Sequence, residues 1–111
     1  MAIEHVKQIF DEMPNAFNAE GAGDWSATIQ FEISGDRGGD YVVKIGDGKC
    51  VVAEGSSEDA SSTIIATDET WIGVNDGSVN PMTAFMTGKL KVKGNMGDVM
   101  KLQNPAVFKR G

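Results

Sequence analysis

Lys89, Lys91 and Lys93 occupy alternate positions of the run KLKVK, and Lys101 follows in the next segment. Ammonium groups at every second residue of a strand lie on one face. Two uses fit such a row: it attracts an anion, whether carboxylate, phosphate or acidic lipid surface, or it keeps an edge strand from pairing with another chain. Soft apolar residues flank it. Met82, Phe85 and Met86 fall at i, i+3 and i+4, and Met96, Val99 and Met100 repeat the spacing, so each trio shares one helical face. Methionine fills irregular gaps in cores and also lines surfaces that repack around apolar guests. The trios therefore fit two roles, core filler that closes the fold or the wall of a ligand cavity, of which filler is the commoner.

Other chemistries find little support. His5 is the only histidine and sits on the polar side of a helical run, so a solvated side chain is expected and no metal site can form around it. No serine lies in a GxSxG elbow, and no histidine stands near a candidate nucleophile, which argues against acyl or peptide hydrolysis. The glycines of Gly38-Gly39-Asp40 and Gly46-Asp47-Gly48 join strands and do not open helices, unlike a phosphate-binding loop. Asp36, Asp40 and Asp47 fall in turns without calcium-loop spacing. No cofactor and no enzymatic activity are expected. Cys50, the only cysteine, excludes an internal disulfide and reads as a buried, inert thiol in a reducing cytoplasm.

Charge narrows the partners. Residues 1 to 88 hold four basic and fifteen acidic side chains, whereas residues 89 to 111 hold six basic and only Asp98 acidic. An anionic body with a cationic C-terminal part repels nucleic acid, and no aromatic residue is interleaved with the lysines to stack bases. A small anionic ligand or an anionic membrane surface fits better.

The elements that must position these residues can be read in order. Ile3, Val6, Ile9, Phe10, Met13 and Phe17 recur at helical spacing, and Pro14 is expected to end or bend that helix near Met13. Residues 18–24 read as a loop. WSATIQFEI then alternates, with Trp25, Ala27, Ile29, Phe31 and Ile33 on a dry face and Ser26, Thr28, Gln30 and Glu32 on a wet one. Tyr41, Val43 and Ile45 continue in a second strand, Asp47-Gly48 predicts a hairpin, KCVVAEG supplies a third strand and STIIAT a fourth. Asp68 is the expected cap of a helix with Trp71, Ile72 and Val74, which Asn75-Asp76-Gly77 ends. Asn80-Pro81 opens a short helix with Gly88 beyond its end, and KLKVK is a fifth strand with Leu90 and Val92 inward. Asn95 and Asp98 resemble a capping box for a last helix that Asn104-Pro105 stops. At 111 residues the chain fits one domain, residues 1–111. No apolar run approaches the roughly 20 residues of a membrane-spanning helix, and MAIEHVKQIF has no signal-peptide core, so a cytoplasmic protein is expected.

Asn80-Pro81, Ala84-Phe85-Met86, Gly88-Lys89-Leu90-Lys91-Val92-Lys93-Gly94, Met96-Gly97 and Met100-Lys101-Leu102 together resemble the SCP-2 sterol transfer family. Phe10, Met13, Pro14 and Phe17-Asn18 extend the likeness to the first helix, so a stand-alone, single-domain member is expected. The resemblance implies an α/β (α+β) fold: a five-stranded mixed sheet covered on one face by helices, with a hydrophobic tunnel between the layers. It implies lipid binding without chemical change, the ligand being a fatty acid, a fatty acyl-CoA, a phospholipid or a sterol. WIGVNDGSVN stands where members carry a more leucine-rich helix, and FKRG lacks a peroxisomal SKL-type ending. An acyl chain is therefore the safer ligand.

On that resemblance the cavity residues are Phe31, Ile33, Trp71, Ile72, Met82, Phe85, Met86, Met96 and Met100. Lys89, Lys91, Lys93 and Lys101 would meet a headgroup or a membrane. The expected state is a monomer or weak homodimer. The alternative is a structural or interaction domain whose apolar patch docks an enzyme partner or a second copy, presenting hydrophobic substrates.

Overall fold

The computed structural model describes residues 4–103 and 107–108. Ile3, and the Asn104-Pro105 stop expected after the last helix, lie outside them. The strands are β1 (Ala27–Ser34), β2 (Gly39–Gly46), β3 (Lys49–Glu54), β4 (Ser62–Thr67) and β5 (Leu90–Gly94), in spatial order β3-β2-β1-β4-β5. β1 and β4 are parallel and every other pair is antiparallel, so the sheet is mixed.

Alternation in the sequence becomes the register of one dry face. Phe31 pairs with Tyr41 and Ile64, Ile29 with Val43 and Ser62, and Ile64 in turn with Val92. Side chains paired across strands point to the same side, so these residues form one continuous surface. Asp47 and Gly48 take φ of 53° and 73°, the two positive values of the turn that matches strand twist in a two-residue hairpin. β1 is read two residues too early at Trp25: the ladder begins at Ala27, although Trp25 itself is buried.

The helices are α1 (Val6–Ala16), α2 (Ala19–Ala22), α3 (Asp68–Asp76), α4 (Pro81–Met86) and α5 (Met96–Gln103). α1 lies over β3 and β2, α3 over β1 and β4, α4 on β5, and α5 on β4 and β5. The dry face thus carries the helices. Between the layers, Phe10 stacks on Tyr41 with centroids 4.2 Å apart and meets Phe31 edge-on at 5.0 Å. Trp71 closes the cluster against Phe31 at 5.3 Å. Such ring pairs add about 0.5–1.5 kcal/mol each beyond their area burial.

Several local expectations are corrected. α1 runs through Pro14 to Ala16. Pro14 gives up its own helical hydrogen bond, yet the helix closes beyond it, the Phe17 N–H reaching the Met13 carbonyl at 3.0 Å. His5 is not merely solvated: its Nδ1 accepts from the Lys7 N–H at 3.0 Å, while Gln8 Oε1 accepts from the His5 N–H, which makes His5 the cap of α1. Residues 19–22 form a single helical turn, capped by Asn18, where a loop was expected.

Thr67, not Asp68, caps α3, its Oγ1 accepting from the Thr70 N–H at 3.2 Å. Asp68 turns back instead and accepts from the Arg37 N–H at 3.0 Å. The outer face of the sheet is not wet throughout. Gln30 and Val42 are 4% and 5% exposed, because residues after β3 fold over them. Gln30 holds that segment, donating to the Gly55 carbonyl at 3.1 Å and accepting from the Ser57 N–H at 2.8 Å.

Candidate functional site

The nine expected cavity residues divide into two groups. Phe31, Ile33, Trp71 and Ile72 are buried between the sheet and α3. Met82, Phe85 and Met86 on α4, and Met96 and Met100 on α5, are exposed, Met86 to 78% and Met100 to 70%. α4 is positioned by Asn80, whose Oδ1 accepts from the Met82 and Thr83 N–H groups, with Pro81 at its first position. Ala84, on the opposite side of α4, is the residue that enters the core. The methionine face therefore looks away from the core. The Val99 side chain lies outside the described residues.

Concentration of this surface is its informative property. Among the described residues the exposed large apolar side chains are Val51 and those five, so nearly all of them sit on the two helices flanking β5. Exposed apolar surface beyond scattered single residues marks a place where a folded chain meets something apolar.

The lysines lie on a different side. Lys91 and Lys93 pair with Ile65 and Thr63, on the sheet face opposite Phe31 and Ile64. Lys89 and Lys91 line a surface pocket of about 490 Å³ together with Ser34, Ile65, Thr67 and Thr70. Lys101 alone stands on the helical side, its Nζ 5.4 Å from the centroid of the Trp25 ring. The row of ammonium groups and the methionine surface thus meet at the edge strand from opposite faces.

Two features escaped the sequence. Asp98 completes no capping box, for the Asn95 N–H donates to the Ser61 carbonyl; Asn95 caps α5 alone, accepting from the Gly97 N–H at 2.8 Å. Asp98 is 7% exposed and accepts from Trp25 Nε1 at 3.0 Å, Ser61 Oγ at 2.9 Å and Ser62 Oγ at 3.2 Å. Its isolation as the sole acid after residue 88 was the available signal. The other feature is Trp71 Nε1, which is buried without a hydrogen-bond partner among the described residues. Leaving a donor unpaired in a core costs about 1–3 kcal/mol.

Titratable chemistry is sparse. Cys50 is half-buried on the inner face of β3 rather than fully buried, and burial pushes its thiol up to about 11. Among the described residues no three His, Cys, Asp or Glu side chains gather as a metal site would need. No described helix is long and apolar enough to cross a membrane.

Comparison with known proteins agrees with this architecture. Residues 6–107 match the model of the SCP-2 sterol transfer family. Sterol carrier protein 2 of Gallus gallus is 44% identical over 77 residues, covering 67% of this chain but only 14% of that protein. The palmitated SCP2L2 of Aedes aegypti superposes with a TM-score of 0.73 at 18% identity, covering 92% of this chain and 91% of the other. The inverting sec-alkylsulfatase of a Pseudomonas species carries the same fold as a part, with a TM-score of 0.74 at 19% identity over 84% of this chain and 15% of its own. A family match over nearly the whole length, on a five-stranded mixed sheet with its helices on one face, makes this chain a member of the SCP-2 sterol transfer family.

Proposed function

We propose that this chain is a non-enzymatic lipid-binding or lipid-transfer module that holds a fatty acid, fatty acyl-CoA or related lipid between its sheet and its helices. The observation that carries this reading is the exposed apolar surface of Met82, Phe85, Met86, Met96 and Met100 on either side of β5. Its interior counterpart is the face bearing Phe31, Ile33, Trp71 and Ile72. An acyl chain enters past the flexible methionine side chains and buries its methylenes against that face. Ten methylenes removed from water contribute roughly 8 kcal/mol, which corresponds to about micromolar affinity before association costs. The palmitate of the Aedes aegypti protein fits this size of ligand.

Lys89, Lys91 and Lys93 serve a surface and not the buried chain. Standing on the outer face at the edge strand, they suit an anionic membrane from which the ligand is taken or to which it is delivered, at about 1 kcal/mol per lysine. Lys101, on the helical side, is the cation best situated for a headgroup at the mouth. The compartment that suits an unpaired, half-buried Cys50 is the reducing cytoplasm.

A second reading rests on the same patch: the surface docks a larger enzyme or a second copy of the chain, as the fold's presence within the alkylsulfatase suggests. Titration with a fluorescent fatty acid separates the two. The Met82→Gln, Met86→Gln double variant, altered only at exposed positions, keeps its stability and binds the probe about tenfold more weakly if the patch is the entrance. Unchanged affinity, together with a mass that falls on dilution in the unaltered protein and not in the variant, favours docking.

A further inference from the structure

The two tryptophans of this chain are treated differently by their surroundings. Trp25 Nε1 has the Asp98 carboxylate at 3.0 Å. Trp71 is 9% exposed, and its Nε1 has no acceptor among the described residues. Buried polar groups in folded proteins are nearly always paired, so an orphaned donor calls for an explanation. The Trp71 ring lies against Phe31 at 5.3 Å and parallel to Phe10 at 6.5 Å, among the rings of the core.

We infer that the Trp71 indole N–H is the hydrogen-bond anchor for a neutral oxygen, a carbonyl or hydroxyl, of a lipid held between α3 and the sheet; this rests on the lipid-binding function proposed above. The acceptor is neutral because the described residues bring no free cation beside Trp71. Arg37 is already paired with Asp68 at 3.5 Å, and Lys89, Lys91, Lys93 and Lys101 are exposed. Moving an ionised carboxylate beside Trp71 would cost far more than moving an ester or an alcohol. An ionised fatty acid keeps its carboxylate at the surface, whereas a fatty ester or alcohol buries its oxygen at Trp71. The residue thereby selects by headgroup where the remaining wall selects only by apolar length.

The test compares dodecanol, methyl laurate and dodecane on the full chain, with the two indole N–H resonances read by nitrogen-15 NMR. Dodecanol and methyl laurate are expected to move the Trp71 proton downfield and dodecane to leave it; the Trp25 proton, held by Asp98, is the internal reference. Trp71→Phe, which keeps an aromatic ring and removes the donor, is expected to weaken dodecanol and methyl laurate about threefold to tenfold more than it weakens dodecane. If the variant weakens all three ligands equally or none of them, or if the Trp71 proton stays still while dodecanol binds, the anchor is overturned and lipid binding stands. If the unaltered protein binds none of the three, both fall.

Discussion

Trp25 Nε1 donates to Asp98 Oδ1 at 3.0 Å and thereby ties the chain just before β1 to the first turn of α5, 73 residues later. The same carboxylate receives the hydroxyls of Ser61 and Ser62 at the start of β4. One acidic side chain thus fixes α5, which bears Met96 and Met100, against the chain entering β1 and the start of β4. Asp98→Ala leaves the buried Trp25 Nε1 without its acceptor, while the Ser61 and Ser62 hydroxyls keep the Thr28 and Asn95 carbonyls, and is expected to cost about 1–3 kcal/mol, read as a lower urea midpoint. Asp98→Asn, which keeps an acceptor, should recover part of it. A loss below about 0.5 kcal/mol for the alanine variant would mean that α5 does not depend on this contact.

Asp68 gives the fold a dependence on acid. The Arg37 N–H foremost, then the Glu69 N–H and the Arg37 guanidinium, hold its carboxyl below the ordinary value of 3.8, against the opposing effect of burial. A carboxyl depressed in the folded state stabilises above its unfolded pKa and loses that contribution as pH falls through the folded one. The stability gap between the unaltered protein and Asp68→Asn should therefore be full at about pH 5 and shrink toward about pH 2. A gap that does not change with pH would show that the charge plays no part.

Cys50 should react slowly. With burial raising its thiol from 9.0 to about 11, alkylation by iodoacetamide at about pH 8 is expected to be tenfold or more slower than for a free thiol. The rate should climb through the interval between those two values. A rate matching a free thiol at neutral pH would place the side chain in water.

How much of this was legible before the structure depended on whether the signal was local. Alternation in WSATIQFEI and the Asp47-Gly48 turn specify strand faces and a hairpin within a few residues, and the register follows them. Burial of Gln30 and Val42 was hidden because the covering segment comes from after β3. Asp98 was hidden for the same reason, since its partners come from before β1 and from the start of β4. Helical spacing placed Met82, Phe85 and Met86 on one face; it does not say whether that face looks inward, and Ala84 settles that it looks out. The alternation of Leu90 and Val92 with the lysines already put the ammonium groups on the sheet's other side.

The lysine row has a distinct signature. Replacing Lys89, Lys91 and Lys93 together by glutamine should weaken association with phosphatidylserine vesicles by about two orders of magnitude, at about 1 kcal/mol each, measured by vesicle sedimentation. Salt near 1 M should abolish most of the difference, since the screening length falls to about 3 Å. Fatty acid affinity in solution should change little, because these side chains face away from the apolar interior. Equal loss of both activities would instead place the lysines at the ligand.

The central claim is that an acyl lipid occupies the space between sheet and helices. Native mass spectrometry of freshly purified protein, followed by identification of the released molecule after solvent extraction, tests it most directly. The expected result is a bound species of acyl-lipid mass at near one per chain, lost on extraction and regained on adding the same lipid. A bare protein mass, with no uptake of any added acyl lipid, would contradict it.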